Sequence, residues 1–173
     1  MPNCLVACIC EGGAEHAIMD ILLENNVLIF SKEDLLDEKI LRTRSAKNFE
    51  QEHLRKSFVE KIKIYRILDS RHENFKLSKL YANKAEVINV VTAPEIEMLV
   101  IFAENKYDDF KKKNVKPSDY CKQELKYANV KSYQFIKDYF TNLDVLILAI
   151  NMYHRKSRNQ KNELTLYDLL NIK

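Results

Sequence analysis

At 173 residues, with 46% apolar and 31% charged residues, the chain has the size and balance of one globular domain with a sizeable core, which excludes the disordered and fibrous classes. A net charge of +3 is mildly basic; it is compatible with a phosphate-bearing partner and does not by itself require one. Only 2 glycines and 3 prolines are present, so few turns are glycine-made and helices should dominate.

The first predicted element is a buried strand at about 4–10, a short apolar run closed by Gly12-Gly13, followed by a helix at about 14–25. Val27–Phe30 reads as a short second strand. Ser31 looks like a helix N-cap, with Asp34 three residues on. The spacing of Leu35, Leu36, Ile40 and Leu41, then Phe49, Leu54 and Phe58, predicts helices over 33–43 and 46–59. Residues 61–68 alternate and then turn apolar, which predicts a strand ending at Asp69. A short helix at 75–82, a strand at 86–91 and a strongly apolar helix at 95–105 follow, the last opened by Pro94. From 106 onward the pattern is helical throughout: 106–113, 117–127, 132–140, 142–156 and 164–171. The stretch 155–162 is charged and reads as a solvated loop.

Strands alternating with helices predict an α/β fold: a small, mainly parallel, Rossmann-like sheet of about four strands flanked by helices. Residues 1–105 form the expected core and 106–173 a helical C-terminal extension packed on the same domain. Cys4, Cys8 and Cys10 share the parity of one strand, and with Cys121 they form no CxxC pair, so a structural zinc site is not expected. No basic region precedes the first apolar run, and Val145–Ile150 is too short to span a bilayer, so a cytoplasmic protein with no membrane partner is expected.

Ligands of open parallel sheets sit beyond the carboxyl ends of the strands, and acids gather there. Glu11 ends the first strand and Glu15 follows one helical turn later; Asp69 ends the 61–68 strand; Glu95 and Glu97 open the helix after the 86–91 strand. Such carboxylates suit a hard cation, Mg2+ or Mn2+, and paired cations can clamp an in-line phosphoryl displacement. The plainer readings are helix-start acids for Glu11, Glu15 and Glu95, and a turn residue for Asp69. His16, His53, His72 and His154 read as structural or surface residues, with His72 and Arg71 also open to a phosphate or acid–base role.

Cys10-Glu-Gly-Gly-Ala-Glu15 resembles the EGxxE motif of Toprim-superfamily nucleases, in the form used by the overcoming-lysogenisation-defect enzymes and the RloB-like proteins. Asp69-Ser70-Arg71 stands where that superfamily carries Asp-x-Asp, with Arg71 at the second acid. Ala93–Val100 resembles the RloB-like segment Asn-Pro-x-Phe-Glu-x-Trp-x-Leu and aligns Glu97 with its acid. The resemblance covers roughly residues 4–105. It implies a metal-dependent phosphodiesterase acting on DNA or RNA, with metal on Glu11, Glu15, Asp69 and Glu97 and catalysis by Glu11 and Asp69; Arg71, which departs from the family's acid and cannot ligate a cation, is expected to neutralise a phosphate oxygen in catalysis. It also implies a role in defence against phage or other mobile DNA, with a homo-oligomer or a partner ATPase left open.

The segment 106–139 holds nine lysines and five tyrosines. Lys111, Lys112, Lys113, Lys122 and Lys126 are its candidates for gripping a nucleic-acid backbone. The plainer reading is amphipathic helices with half-buried tyrosines and solvated lysines. Other readings stay open: a catalytically degenerate Toprim-like nucleic-acid- or protein-binding module, or a small-molecule phosphotransfer or nucleotide-sensing protein. No GxxxxGK loop, GxGxxG fingerprint or serine elbow occurs, which disfavours nucleotide-triphosphate and hydride chemistry.

Overall fold

The computed structural model of the chain describes residues 5–55, 61–71, 74–157 and 163–171. Its centre is a parallel sheet of three strands, β1 (Val6–Cys10), β2 (Ile62–Leu68) and β3 (Ala85–Val91), in the order β1-β2-β3. Cys10 sits opposite Ile67 and Leu68 opposite Val91, so all three strands end at one level. β1 is apolar at every position because a parallel strand covered on both faces has no solvated side. Val6, Cys8, Cys10, Tyr65, Ile67 and Val90 face one core; Ala7, Ile9, Ile62, Ile64 and Ala85 face the other.

The first core is closed by α1 (Gly13–Glu24), α3 (Met98–Ala103), α6 (Tyr133–Tyr139) and α7 (Leu143–Lys156). α6 packs on α1 and α7 on α3, so the C-terminal helices share the core of the sheet. α4 (Tyr107–Lys111) and α5 (Pro117–Gln123) lie between α3 and α6 in the chain. The second core is smaller. Phe49, Leu54 and Phe75 fill it, the first two from α2 (Ala46–Phe49) and the π-helical turn Glu50–Leu54 that continues it. Ser45 caps α2 by accepting from the Asn48 N–H at 3.3 Å.

The sheet has three strands among the described residues, fewer than the four expected, and the reason lies at its edges. Val27–Phe30 does not join it. Leu28 makes a lone antiparallel bridge to Leu170, and the Ile29 N–H donates to the Leu169 carbonyl at 2.9 Å, so this segment clamps the chain's last described turn. The expected helix at 33–43 is also absent. Leu35 and Leu41 form single parallel bridges to Val6 and Ile9, and a 3-10 turn spans Leu36–Glu38. Asp37 and Glu38 take φ of 58° and 52°, which breaks a helix; pairing with the open edge of β1 outweighs the apolar spacing. Ser31 and Asp34 do pair, but they close a turn rather than open a helix. At the other edge, Leu164 bridges Val90 where helix was expected, ahead of a short 3-10 turn at Leu166–Leu169. Residues 75–82 form extended chain and turns, not a helix. The remaining expected helices are present, mostly shorter.

Cys8, Cys10 and Cys121 are buried free thiols, and Cys8 and Cys10 share the α1 face. Burial pushes the Cys121 thiol up to about 12, so it behaves as a small apolar group. Cys4, Phe58, His72, Glu73 and Arg158 lie outside the described residues. Among those described, no helix is long and apolar enough to cross a membrane.

Candidate functional site

The turn after β1 depends on both of its glycines, for room rather than for φ. A Cβ on Gly12 would run into the Glu15 carboxylate, which folds back over the turn. A Cβ on Gly13 would stand 3.1 Å from the Tyr133 amide nitrogen and 3.2 Å from the Lys131 carbonyl oxygen. The glycine pair therefore seats Glu15 and admits the chain that carries Lys131.

Strand parity sorts the candidate acids. Glu15 stands at the start of α1, and Asp69 continues the parity of Tyr65 and Ile67, so both lie on the α1–α3 side of the sheet. Glu97 caps α3 on that side and is 3% exposed. Burial raises the Glu15 carboxyl; its own N–H and that of Gly12 pull it back, Asp69 pushes it up and Lys131 draws it down. Burial pushes Glu97 up to about 7, with the charges of Glu95 and Glu15 adding to the rise and Lys131 opposing it. Glu95, also buried, is held low despite that burial. Its Oε1 accepts from Lys131 Nζ at 2.9 Å and its Oε2 from the Ser118 N–H at 2.8 Å. Lys131 is raised, first by that bond to Glu95 and further by the charges of Glu97 and Asp69. One ammonium thus balances four carboxylates drawn from three strand ends. Thr92, 2% exposed at the end of β3, finds no partner for its Oγ1 among the described residues.

Glu11 lies on the opposite face. It continues the parity of Ala7 and Ile9. Its Oε1 accepts from Arg66 Nη2 at 3.2 Å, and its Oε2 pairs with Arg44 Nε at 3.1 Å. Arg66 is buried, with its guanidinium 4.6 Å from the centre of the Phe75 ring. Glu11 is therefore held by arginines, away from the other three expected ligands. Among the described residues, no three Asp, Glu, His or Cys side chains are drawn together closely enough to hold a metal ion.

A cleft of about 640 Å³ opens beyond β2 and β3, with Asp69, Arg71 and Glu95 on its wall beside Asn114 and Lys116. Its floor is the Ala93–Pro94 peptide, which is cis. Arg71 is clamped by Glu163 through a two-pronged pair, Nε to Oε1 at 2.6 Å and Nη2 to Oε2 at 3.1 Å.

Comparison with protein-family models, curated proteins and solved structures finds no match for this chain. The likeness to Toprim nucleases rests on short sequence motifs alone.

The basic segment is more structural than its composition suggested. Lys112 pairs with Asp109 and Lys113 with Glu124, and Lys126 donates to the Gln123 carbonyl. Tyr127 and Tyr139 both donate to Glu104, Tyr133 donates to Asp20, and Tyr120 is buried. Lys111, above the Tyr107 ring, and Lys122 on α5 stay exposed. His16 pairs with Asp20, His53 lies beside Asp37, and His154 bonds to Thr165.

Three participants escape a reading of the sequence. Lys131 lies 36 residues from Glu95 and reaches it only through the packing of the 131–133 chain on Gly13. Ser118 contributes a backbone N–H, which no side-chain pattern can report. Glu95, taken as a plain helix-start acid, is the most firmly held carboxylate of the group.

Proposed function

We propose that the chain is a Mg2+- or Mn2+-dependent phosphodiesterase acting on nucleic acid, on a Toprim-like sheet. The observation that carries this reading is that Asp69 and Glu95, which follow β2 and β3, line one cleft beyond the strand ends, with the charges of Glu15 and Glu97 within reach of them. The donor type fits the cation in chemistry: hard carboxylates, two of which, Glu15 and Glu97, are raised by burial and would be favoured as anions by a divalent charge, although the described side chains are not drawn together around one point. Glu15, Asp69 and Glu97 would hold the ion once their side chains are drawn together around it. A bound cation would supply an activated water and polarise a phosphate oxygen. The chain's own groups do the rest. Arg71 and Lys116 meet the phosphate on the cleft wall. Binding the ion would release the proton that burial favours on Glu97, so that Glu97 ligates as a carboxylate. Glu11 becomes a positioning residue that aims Arg44 beyond β1. Buried free thiols at Cys8, Cys10 and Cys121 support a reducing cytoplasm. From the resemblance we carry over a role in defence against phage or other mobile DNA.

The test is cleavage of labelled DNA and RNA, single-stranded and duplex, with Mn2+ or Mg2+ and with EDTA. Cation-dependent cutting, reduced at least about 100-fold in Asp69→Asn and in Glu97→Gln, is expected. Cutting that ignores the cation or survives both substitutions overturns the reading.

One observation favours a second reading, a catalytically degenerate binding module: Arg71, at the position of the expected second acid, is already engaged by Glu163. Binding with a steep salt dependence and no cutting under any cation would select it.

A further inference from the structure

We infer that the apolar end of the cleft is a nucleobase pocket that seats one unstacked base of a single strand. The inference rests on the phosphodiesterase reading, since it names the substrate of that site. Beyond Pro94 the cleft runs into a second cavity of about 320 Å³, and Arg71, Ala93, Pro94 and Phe110 line both. The two are therefore one continuous groove with a polar end near Asp69 and Glu95 and an apolar end under α7.

The floor of the apolar end is Met98, Phe102 and Tyr153, all buried, and its walls include the half-exposed rings of Tyr107 and Phe110. These rings are fixed. Tyr107 stacks on Phe102 with centroids 4.7 Å apart, Phe110 meets Tyr120 edge-on at 5.5 Å, and Tyr153 donates to the Ala93 carbonyl at 2.6 Å. Three cations stand at the rim, Arg71, Lys111 and Lys156, and no carboxylate is among the described residues that line this end. Lys111 Nζ lies over the Tyr107 ring, 5.6 Å from its centre, which holds that ammonium at the rim of the pocket.

A ligand that suits this groove has a planar apolar end and an anionic end, which is the chemistry of a nucleobase carried on a phosphate. Aromatic side chains accept any base on its π-face, while rim cations take the backbone. The cavity is at the lower limit for small-ligand sites, which is room for one base and not for a base pair in a duplex. A strand entering base-first would lay its phosphate past Arg71 toward Asp69.

The experiment measures binding in EDTA, where no cutting occurs, by fluorescence anisotropy at about 0.1 M salt. The probes are a ten-nucleotide single strand, the same strand with abasic residues, its duplex, and adenosine monophosphate. The single strand is expected to bind at least about 10-fold more tightly than the duplex or the abasic strand, because stacking of one base is worth a factor of that order. Phe110→Ala should erase that preference, and Lys156→Glu, an exposed rim change that leaves the core intact, should weaken the single strand about 10-fold. Single-strand binding well above that of the monophosphate assigns the pocket to a strand; equal binding of the two overturns the strand in favour of a free nucleotide. Equal binding of normal and abasic strands, or no effect of either substitution, overturns the pocket. A pocket that binds while no cation yields cutting would sink the hydrolytic reading alone. Cutting that is indifferent to Phe110 and to base stacking would sink the pocket alone.

Discussion

Lys131 Nζ stands 2.9 Å from Glu95 Oε1, and its charge also reaches Glu15 and Glu97. That charge lowers the carboxyls of Glu15, Glu95 and Glu97. Removing it leaves Glu15, Glu95 and Glu97 without that compensating charge. The Lys131 side chain is 52% exposed and solvent screens its charge, so Lys131→Met should cost about 1 kcal/mol or less without metal. The same variant should gain more in melting temperature from Mn2+ than the parent does, because the cation no longer competes with a tethered amine. Thermal melts with and without Mn2+ check this; a variant that gains no more than the parent would contradict it.

The sheet and its carboxyl-end acids were legible because they rest on local signals. An all-apolar run such as Val6–Cys10 has few alternatives, and a Gly-Gly turn after it marks a strand end. Edge segments were not legible. Leu35–Leu41 has helical spacing, yet its backbone is claimed by the open side of β1, a long-range preference that no local window contains. The site divided along the same line. The sequence reading sets Glu11 with Glu15, Asp69 and Glu97, because it counts acids at strand ends without sorting them by strand parity. The orientation of Glu11 followed from strand parity, which puts it with Ala7 and Ile9 and within reach of Arg66. Lys131 depended on tertiary packing alone.

The two glycines should fail differently. Gly12→Ala displaces a side chain, the Glu15 carboxylate, which can swing away, so the expected stability loss is about 1 kcal/mol with a large loss of cation-dependent activity. Gly13→Ala presses on the backbone at Lys131 and Tyr133, which cannot yield locally, and should cost about 1–3 kcal/mol as overpacking does. Urea unfolding of both variants separates them. Equal stability losses, or full activity in Gly12→Ala, would show that Glu15 is not held as described.

Glu97 makes stability fall as pH rises. Its carboxyl sits near 7 in the folded chain against 4.5 when solvated, so the folded state favours the protonated form. Its contribution is complete below about pH 4.5, declines through the interval to 7, and is absent above it. Glu15 is shifted the same way, while Glu95, held low by Lys131 and Ser118, acts in the opposite sense at more acidic pH. Melting temperature of the metal-free protein should thus drop between pH 5 and 7.5. Glu97→Gln should flatten that slope and be the more stable protein at pH 8, by roughly 1–3 kcal/mol. A parent profile no steeper than that of the variant would refute the assignment.

Glu11 offers the sharpest division between the sequence expectation and the geometry. Its carboxylate answers a buried guanidinium, Arg66, and an exposed one, Arg44, whose side chain is 78% accessible. Arg66 is 2% exposed and cannot turn to water, so Glu11→Gln weakens a charge-assisted bond inside the fold. The expected cost is about 1–3 kcal/mol of stability. If Glu11 serves Arg66 rather than a cation, Mn2+ affinity measured by calorimetry should stay within about two-fold of the parent, while Glu97→Gln loses at least about 10-fold. An equal loss of Mn2+ affinity in both variants would return Glu11 to the ligand set and require its side chain to cross from the Arg66 face to the Glu15 face when the ion binds.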